Sequence, residues 1–282
     1  MIQLSLSTAI LESVKYADRY KYPLTAAEIH AWILTPTSPD YRNFNLALKK
    51  LVSQGLLKIH ADYYFLPDRS HLVNLRHNRT FLSRAKWIRA QRIGVSLSHI
   101  PTIQAIFVTG SLAVDNSDSH DDIDFMIITS ANTLWVTRLL VVILLKFKNI
   151  RRDRGLPEHS SQKVEDKICD NLYLDTEHLY IPHSPATSVY LSHEILQAKC
   201  LFSRSDCEFQ FLDTNRWVSQ YFPRAYSSQI KNYKPKPTKP KPVLHRVLSL
   251  LNLLLYISQY IYMRSKMTSE RVGPGFAFFH PH

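Results

Sequence analysis

Apolar residues recur along this chain in three rhythms: helical spacing, alternate-residue spacing and short unbroken runs. MIQLSLSTAILESVKYADRY has the first and reads as an amphipathic helix; it lacks a basic leader and carries Glu12 in its apolar stretch, so no signal peptide is expected. From Leu24 to Leu66 the pattern gives a helix (LTAAEIHAWIL), a Pro/Ser-containing turn, a second helix (YRNFNLALKKLVSQGLL) and two short strands in LLKIHADYYFL, the order of a winged helix-turn-helix. Thr25 and Glu28 have the spacing of a capping box, and Gly55 is placed to stop the second helix. In that helix Phe44, Leu48, Leu51 and Val52 form an inward stripe, which leaves Arg42, Asn45, Lys49 and Lys50 on or near the outside.

Residues 69 to 99 are free of proline and rich in bases, among them Arg76, Arg79, Arg84, Lys86, Arg89 and Arg92; they predict a basic helical connector, either a solvated face or a means of steering a phosphate-bearing ligand. Pro101 ends it. IQAIFVT and DIDFMIIT then read as buried strands and KICDNLYLD as a third, with NTLWVTRLLVVILLKFK as a crossover helix, so the sheet is expected to be mixed. HEILQAKCLF, TNRWVSQYF and residues 243 to 263 read as helices around KNYKPKPTKPKP, a basic linker of polyproline character. Two segments are apolar enough to test as membrane spans: residues 134 to 147 are too few, and residues 243 to 263 are interrupted by His245, Arg246, Asn252 and Gln259, so buried or amphipathic helices are expected.

The fold class expected is α/β (α+β), a small mixed sheet flanked by helices, with a winged-helix-like domain over 1–70 and a basic connector over 71–100. The sheet core is expected over 101–190, and a helical region containing linker 231–242 over 191–282. With 282 residues, 45% of them hydrophobic, the chain can bury a substantial core. A formal charge of +12 favours polyanionic partners such as nucleic acids or nucleotides, although the same surplus serves solubility. Three cysteines without CxxC spacing point to reduced thiols and a cytoplasmic protein. His280 and His282, the one close histidine pair, read as a solvated tail.

Candidate chemistry concentrates in VTGSLAVDNSDSHDDIDFMII, residues 108 to 128. Along a strand Asp122 and Asp124 fall on one face, roughly 7 Å apart, with Ile123 and Phe125 on the other. Like charges so placed repel unless a cation sits between them, and oxygen donors select Mg²⁺ or Mn²⁺. Asp115, Asp118 and Asp121 read as a solvated spacer. An EF-hand calcium loop is disfavoured for want of its glycine and terminal glutamate, whereas an edge strand with protective aspartates stays open. The chain has no GxxxxGK[ST], GxSxG or HExxH motif.

FVTGS followed by DIDFMII resembles the signature of the DNA polymerase beta-like nucleotidyltransferases: an apolar strand, Gly-Ser, a spacer, and Asp-x-Asp on the next strand. The likeness covers residues 107 to 128. Along most of its length the chain is also similar to uncharacterised bacterial proteins in which a winged-helix-like segment precedes such a domain, in blocks including YYFLPDR, KICDNLYLD and FAFFHP. The family resemblance implies that Gly110 and Ser111 hold nucleotide phosphates, that Asp122 and Asp124 bind metal, and that a later strand supplies a third carboxylate. In KICDNLYLD, Asp170 and Asp175 fall on opposite faces by parity; Asp170, near the strand start, is the candidate. The implied activity is metal-dependent transfer of NMP from an NTP to an acceptor hydroxyl with release of pyrophosphate. The basic run KFKNIRRDRG reads either as a flexible surface loop or as a reach to the triphosphate or a nucleic-acid acceptor. Two alternatives stay open. One is a DNA-binding regulator with an inactive nucleotidyltransferase-like domain, contacting nucleic acid through Lys49, Lys50 and the connector; the other is a peripheral membrane protein using residues 243 to 263.

Overall fold

The computed structural model describes residues 4–152, 165–231, 233, 244–265 and 267–279. In chain order its elements are α1 (Leu6–Arg19), β1 (Leu24–Thr25), α2 (Ala26–Ala31), α3 (Tyr41–Ser53), β2 (Lys58–His60), β3 (Tyr63–Phe65), α4 (His71–Ser98), β4 (Ile103–Val108) and α5 (Gly110–Ala113). There follow β5 (Ile123–Thr129), α6 (Leu134–Phe147), β6 (Ile168–Asp175), α7 (Ser188–Gln197), β7 (Lys199–Ser203), α8 (Cys207–Thr214), a 3₁₀ turn (Arg216–Gln220), α9 (Pro223–Ile230), α10 (Leu244–Arg264), β8 (Arg271–Gly273) and β9 (Phe276–Phe278). The described residues form a mixed α/β chain with two sheets. None of its described helices is long and apolar enough to cross a membrane. The Lys/Pro linker, except for Lys231 and Tyr233, and the His280/His282 pair lie outside the described residues.

The chain forms two compact units that are discontinuous in sequence. One comprises Met1–Phe81, Pro182–Leu196 and Asn215–Asn232; the other comprises Leu82–Ile181, Gln197–Thr214 and Tyr233–His282. This grouping differs from the sequential blocks 1–70, 71–100, 101–190 and 191–282. Residues 191–282 are divided between the units and are not wholly helical, since they also supply β7, β8 and β9. KCLF continues the apolar pattern of the helix before it, yet it pairs as β7 with β4, Phe107 opposite Cys200 and Ile106 opposite Phe202.

In the first unit α2 is started by the side chains the pattern suggested, and α3 by an aspartate the pattern did not single out. The Glu28 amide donates to Thr25 Oγ1 at 3.3 Å and the Thr25 amide to Glu28 Oε2 at 2.8 Å, a complete capping box on α2. Asp40 Oδ2 accepts the Asn43 amide at 3.1 Å to begin α3. Gly55, at φ +74°, ends α3, its amide and that of Leu56 closing onto Val52 and Leu51 carbonyls at 3.0 Å. Phe44, Leu48 and Leu51 pack with Ile10, Val14, Ile29 and Ile33 beside an antiparallel three-stranded sheet of order β1-β3-β2. Arg76 of the connector is buried, bonded to Glu28 and stacked 3.8 Å over the Tyr22 ring, so its charge is spent on structure.

The second unit is built on a six-stranded sheet of order β7-β4-β5-β6-β9-β8. β5 and β6 run parallel and are joined through α6; the neighbouring pairs are antiparallel. Ile123, Phe125 and Ile127 of β5 join one apolar core with Leu134, Trp135, Val141 and Leu145 of α6 and with Ala90, Ile93 and Leu97 of α4. The alternate side chains of β5, Asp124 among them, face the other way. On that second face Phe107 meets Phe211 of α8, their ring centroids 5.7 Å apart.

Candidate functional site

β4 ends where Thr109 donates its amide to the Asp124 carbonyl at 3.0 Å, holding the turn against β5. Gly110 follows with φ +65°, and a Cβ built on it would lie 2.5 Å from Asp124 Oδ2. A side chain there would need both a strained left-handed backbone and a displaced Asp124 carboxylate, so glycine is favoured. The helical turn Gly110–Ala113 then carries Ser111, whose hydroxyl donates to Asp121 Oδ2 at 2.8 Å.

One ligand atom each from Asp122, Asp124 and Cys169 lies within 4.8 Å of the other two, a group able to hold a metal ion. Both aspartates are half-buried and Cys169 is buried. Arg152 donates through Nη1 to Asp122 Oδ2 at 2.6 Å, and Asn171 donates through Nδ2 to Asp124 Oδ1 at 2.8 Å. Burial opposes the guanidinium charge of Arg152, but Asp122, Cys169 and Asp124 outweigh it and raise its pKa. Burial first, then Asp124 and Asp122, push the Cys169 thiol well up. The donor chemistry fits a divalent cation: two carboxylates offer hard oxygens, and the thiol adds a softer atom.

Asp170 is placed elsewhere, which corrects the expected third carboxylate. In the parallel β5/β6 pair Asp124 stands opposite Cys169 and Phe125 opposite Asp170, so Asp170 shares the core face with Phe125. There Arg151 Nε approaches Asp170 Oδ1 at 2.8 Å, and the Tyr173 hydroxyl donates to Oδ2 at 3.1 Å. The parity argument separating Asp170 from Asp175 also fails. The register shifts between Phe125 and Met126, so that Leu172 faces Met126 and Asn171 is the extra residue of a bulge. Beyond it the faces exchange, and Asp175 is paired with Thr129 on the side of Asp170. Cys169 and Asn171 thus occupy the space beside Asp124 where a carboxylate was expected. The adjacent polar pair Asp170-Asn171 inside an apolar run is the one local sign of the bulge.

In the acidic loop Asp121 is fitted against the Gly-Ser turn, while Asp115 is exposed, as a solvated spacer would be. Asp121 Oδ2 accepts the Asp118 amide at 2.9 Å as well as the Ser111 hydroxyl, and Asp115 Oδ1 accepts Trp87 Nε1 at 2.8 Å. Lys86 is buried, donates to the Ser119 carbonyl at 3.2 Å and pairs with Asp166 at 3.1 Å. Like Arg76, this connector base is structural; Arg84 and Arg92 remain exposed. From the basic run after α6, Arg151 and Arg152 reach Asp170 and Asp122, and residues 153 to 155 lie outside the described residues. Lys49 and Lys50 are exposed on α3. No protein-family model, curated protein or solved structure matches this chain.

Proposed function

We propose that this protein is a metal-dependent nucleotidyltransferase, moving NMP from an NTP to an acceptor hydroxyl with release of pyrophosphate. The observation that carries the reading is the contact of the Gly110 backbone with the Asp124 carboxylate, where even a methyl group would sit 2.5 Å from Oδ2. A turn free of side chains lets phosphate oxygens approach backbone amides beside two carboxylates.

Asp122 and Asp124 would hold Mg²⁺ or Mn²⁺. When bound, such an ion neutralises phosphate charge and lowers the pKa of an attacking hydroxyl. Gly110 and Ser111 are assigned to the phosphates of the NTP. Arg152 offers a planar cation next to Asp122, a donor fork matched to phosphate oxygens. Asn171 fixes one carboxylate oxygen of Asp124, leaving the other toward Gly110. Most of the catalysis in this scheme is positioning and charge neutralisation. The test is pyrophosphate release from NTPs with Mg²⁺ or Mn²⁺; an Asp122→Asn/Asp124→Asn variant as active as the wild type sinks the assignment.

A second reading, DNA binding with an inactive second unit, has its own observation. α1, α2 and α3 with the β1-β3-β2 sheet follow the order of a winged helix-turn-helix, and α3 exposes Arg42, Lys49 and Lys50. Duplex binding should then weaken with salt, and Lys49→Ala/Lys50→Ala should reduce the slope of log K against log salt by about 2. No duplex binding at low salt rules this reading out.

A further inference from the structure

α10 is amphipathic in the reverse sense. Two of its polar side chains turn inward: Asn252 Oδ1 accepts the Trp135 amide at 2.7 Å, and Gln259 Nε2 donates to the Trp135 carbonyl at 3.0 Å. Gln259 Oε1 also accepts from Arg138, and Tyr256 packs with its ring centroid 5.2 Å from that of Trp135. The opposite face is apolar and open to solvent, with Leu250 69%, Leu254 65%, Ile257 45% and Ile261 68% exposed. Those four recur at intervals of three and four residues, so they form one stripe along the helix. A surface helix in a self-contained domain shows the reverse arrangement, and a continuous apolar stripe of this kind marks a contact surface.

We propose that this face of α10 docks the protein on an anionic lipid surface. Charge selects the bilayer over a protein partner. From residue 214 to residue 269 the sequence has no Asp or Glu, while Lys231, Lys234, Lys236, Lys239 and Lys241 directly precede α10 in the sequence. Arg264, exposed at the far end of α10, follows Tyr262, which is 70% exposed. A basic, acid-free flanking sequence with aromatic and aliphatic side chains on the open face is the composition of a helix lying in a lipid headgroup region. The helix is not long and apolar enough to cross the bilayer, so it lies along the surface. α6, on which α10 packs, is on the sheet face opposite Asp124, so docking leaves the aspartates on the other side of the sheet. The inference is independent of the nucleotide reading.

The test is cosedimentation of the full chain with vesicles of phosphatidylcholine alone or mixed with phosphatidylserine. The protein should pellet with the mixed vesicles, should pellet little with phosphatidylcholine alone, and should be released by salt. Leu254→Glu/Ile261→Glu should lower the partition coefficient about tenfold or more. Leu254→Asn/Ile261→Asn is the milder pair should the first misfold by circular dichroism. Failure to pellet, equal binding to neutral vesicles, or unchanged binding by the folded variants overturns the proposal. So does a lipid-free dimer that the same substitutions dissociate, since the stripe would then be covered by a second copy of the chain.

Discussion

His193 lies stacked between Tyr16 and Trp32, with ring centroids 4.2 and 5.2 Å away, and Phe222 closes a third side at 4.4 Å. Burial pushes its pKa down to about 3, so the ring is neutral in the folded protein across the physiological range. In the unfolded chain it takes up a proton below its ordinary value of 6.5. A base with a depressed folded pKa therefore contributes no loss above about 6.5 and destabilises progressively as pH falls from there toward about 3. The cost reaches on the order of a few kcal/mol. His193→Phe keeps the stacking and removes the proton site, so urea denaturation of this variant should give a flatter stability profile between pH 6 and 4 than the wild type, taking that window as roughly the middle of the titration. Parallel profiles for the two proteins would show that another group governs acid stability.

At the scale of elements, the acidic loop acts as a clasp between the turn after β4 and the start of β5. Asp121 gathers the Ser111 hydroxyl and the Asp118 amide on one oxygen, and its replacement by alanine leaves both donors without that acceptor. Asp121→Ala should cost about 1–3 kcal/mol in urea unfolding, the penalty for stranding half-buried polar groups. A change within about 0.5 kcal/mol would return the loop to the status of a solvated spacer. Local pattern made β4, the Gly-Ser turn, β5, α6 and the α2 capping box legible, because each is set by residues within a few positions of one another. The bulge in β6 was not legible in that way. One inserted residue at Asn171 reverses every later parity and brings Asp175 to the face of Asp170, while the register with β5, which local pattern does not fix, puts Cys169 and not Asp170 beside Asp124. β7 was hidden for a related reason: with no glycine stop after Gln197, its residues continue a helical pattern until β4 pairs with them.

For the whole molecule, a formal charge of +12 is divided between bases paired inside the fold and exposed ones such as Lys49, Lys50, Arg84 and Arg92. Arg76, Lys86 and Arg151 are committed to carboxylates or carbonyls, which removes them from the steering role that sequence alone allowed, whereas Arg152 pairs with Asp122 inside the candidate site. The interleaving of the two units was equally beyond local reading, since Pro182–Leu196 and Asn215–Asn232 join the N-terminal unit through contacts distant in sequence. Central to the proposed function is that Gly110, Asp122 and Asp124 together would take a nucleotide's phosphates and their cation. Pyrophosphate release by the full chain, given each NTP with Mg²⁺ or Mn²⁺, measures this most directly. Release that depends on added metal and falls by about 100-fold or more in Asp122→Asn/Asp124→Asn is the result expected. Release that survives the double substitution, or no release and no NTP binding by the wild type with either metal, contradicts the account.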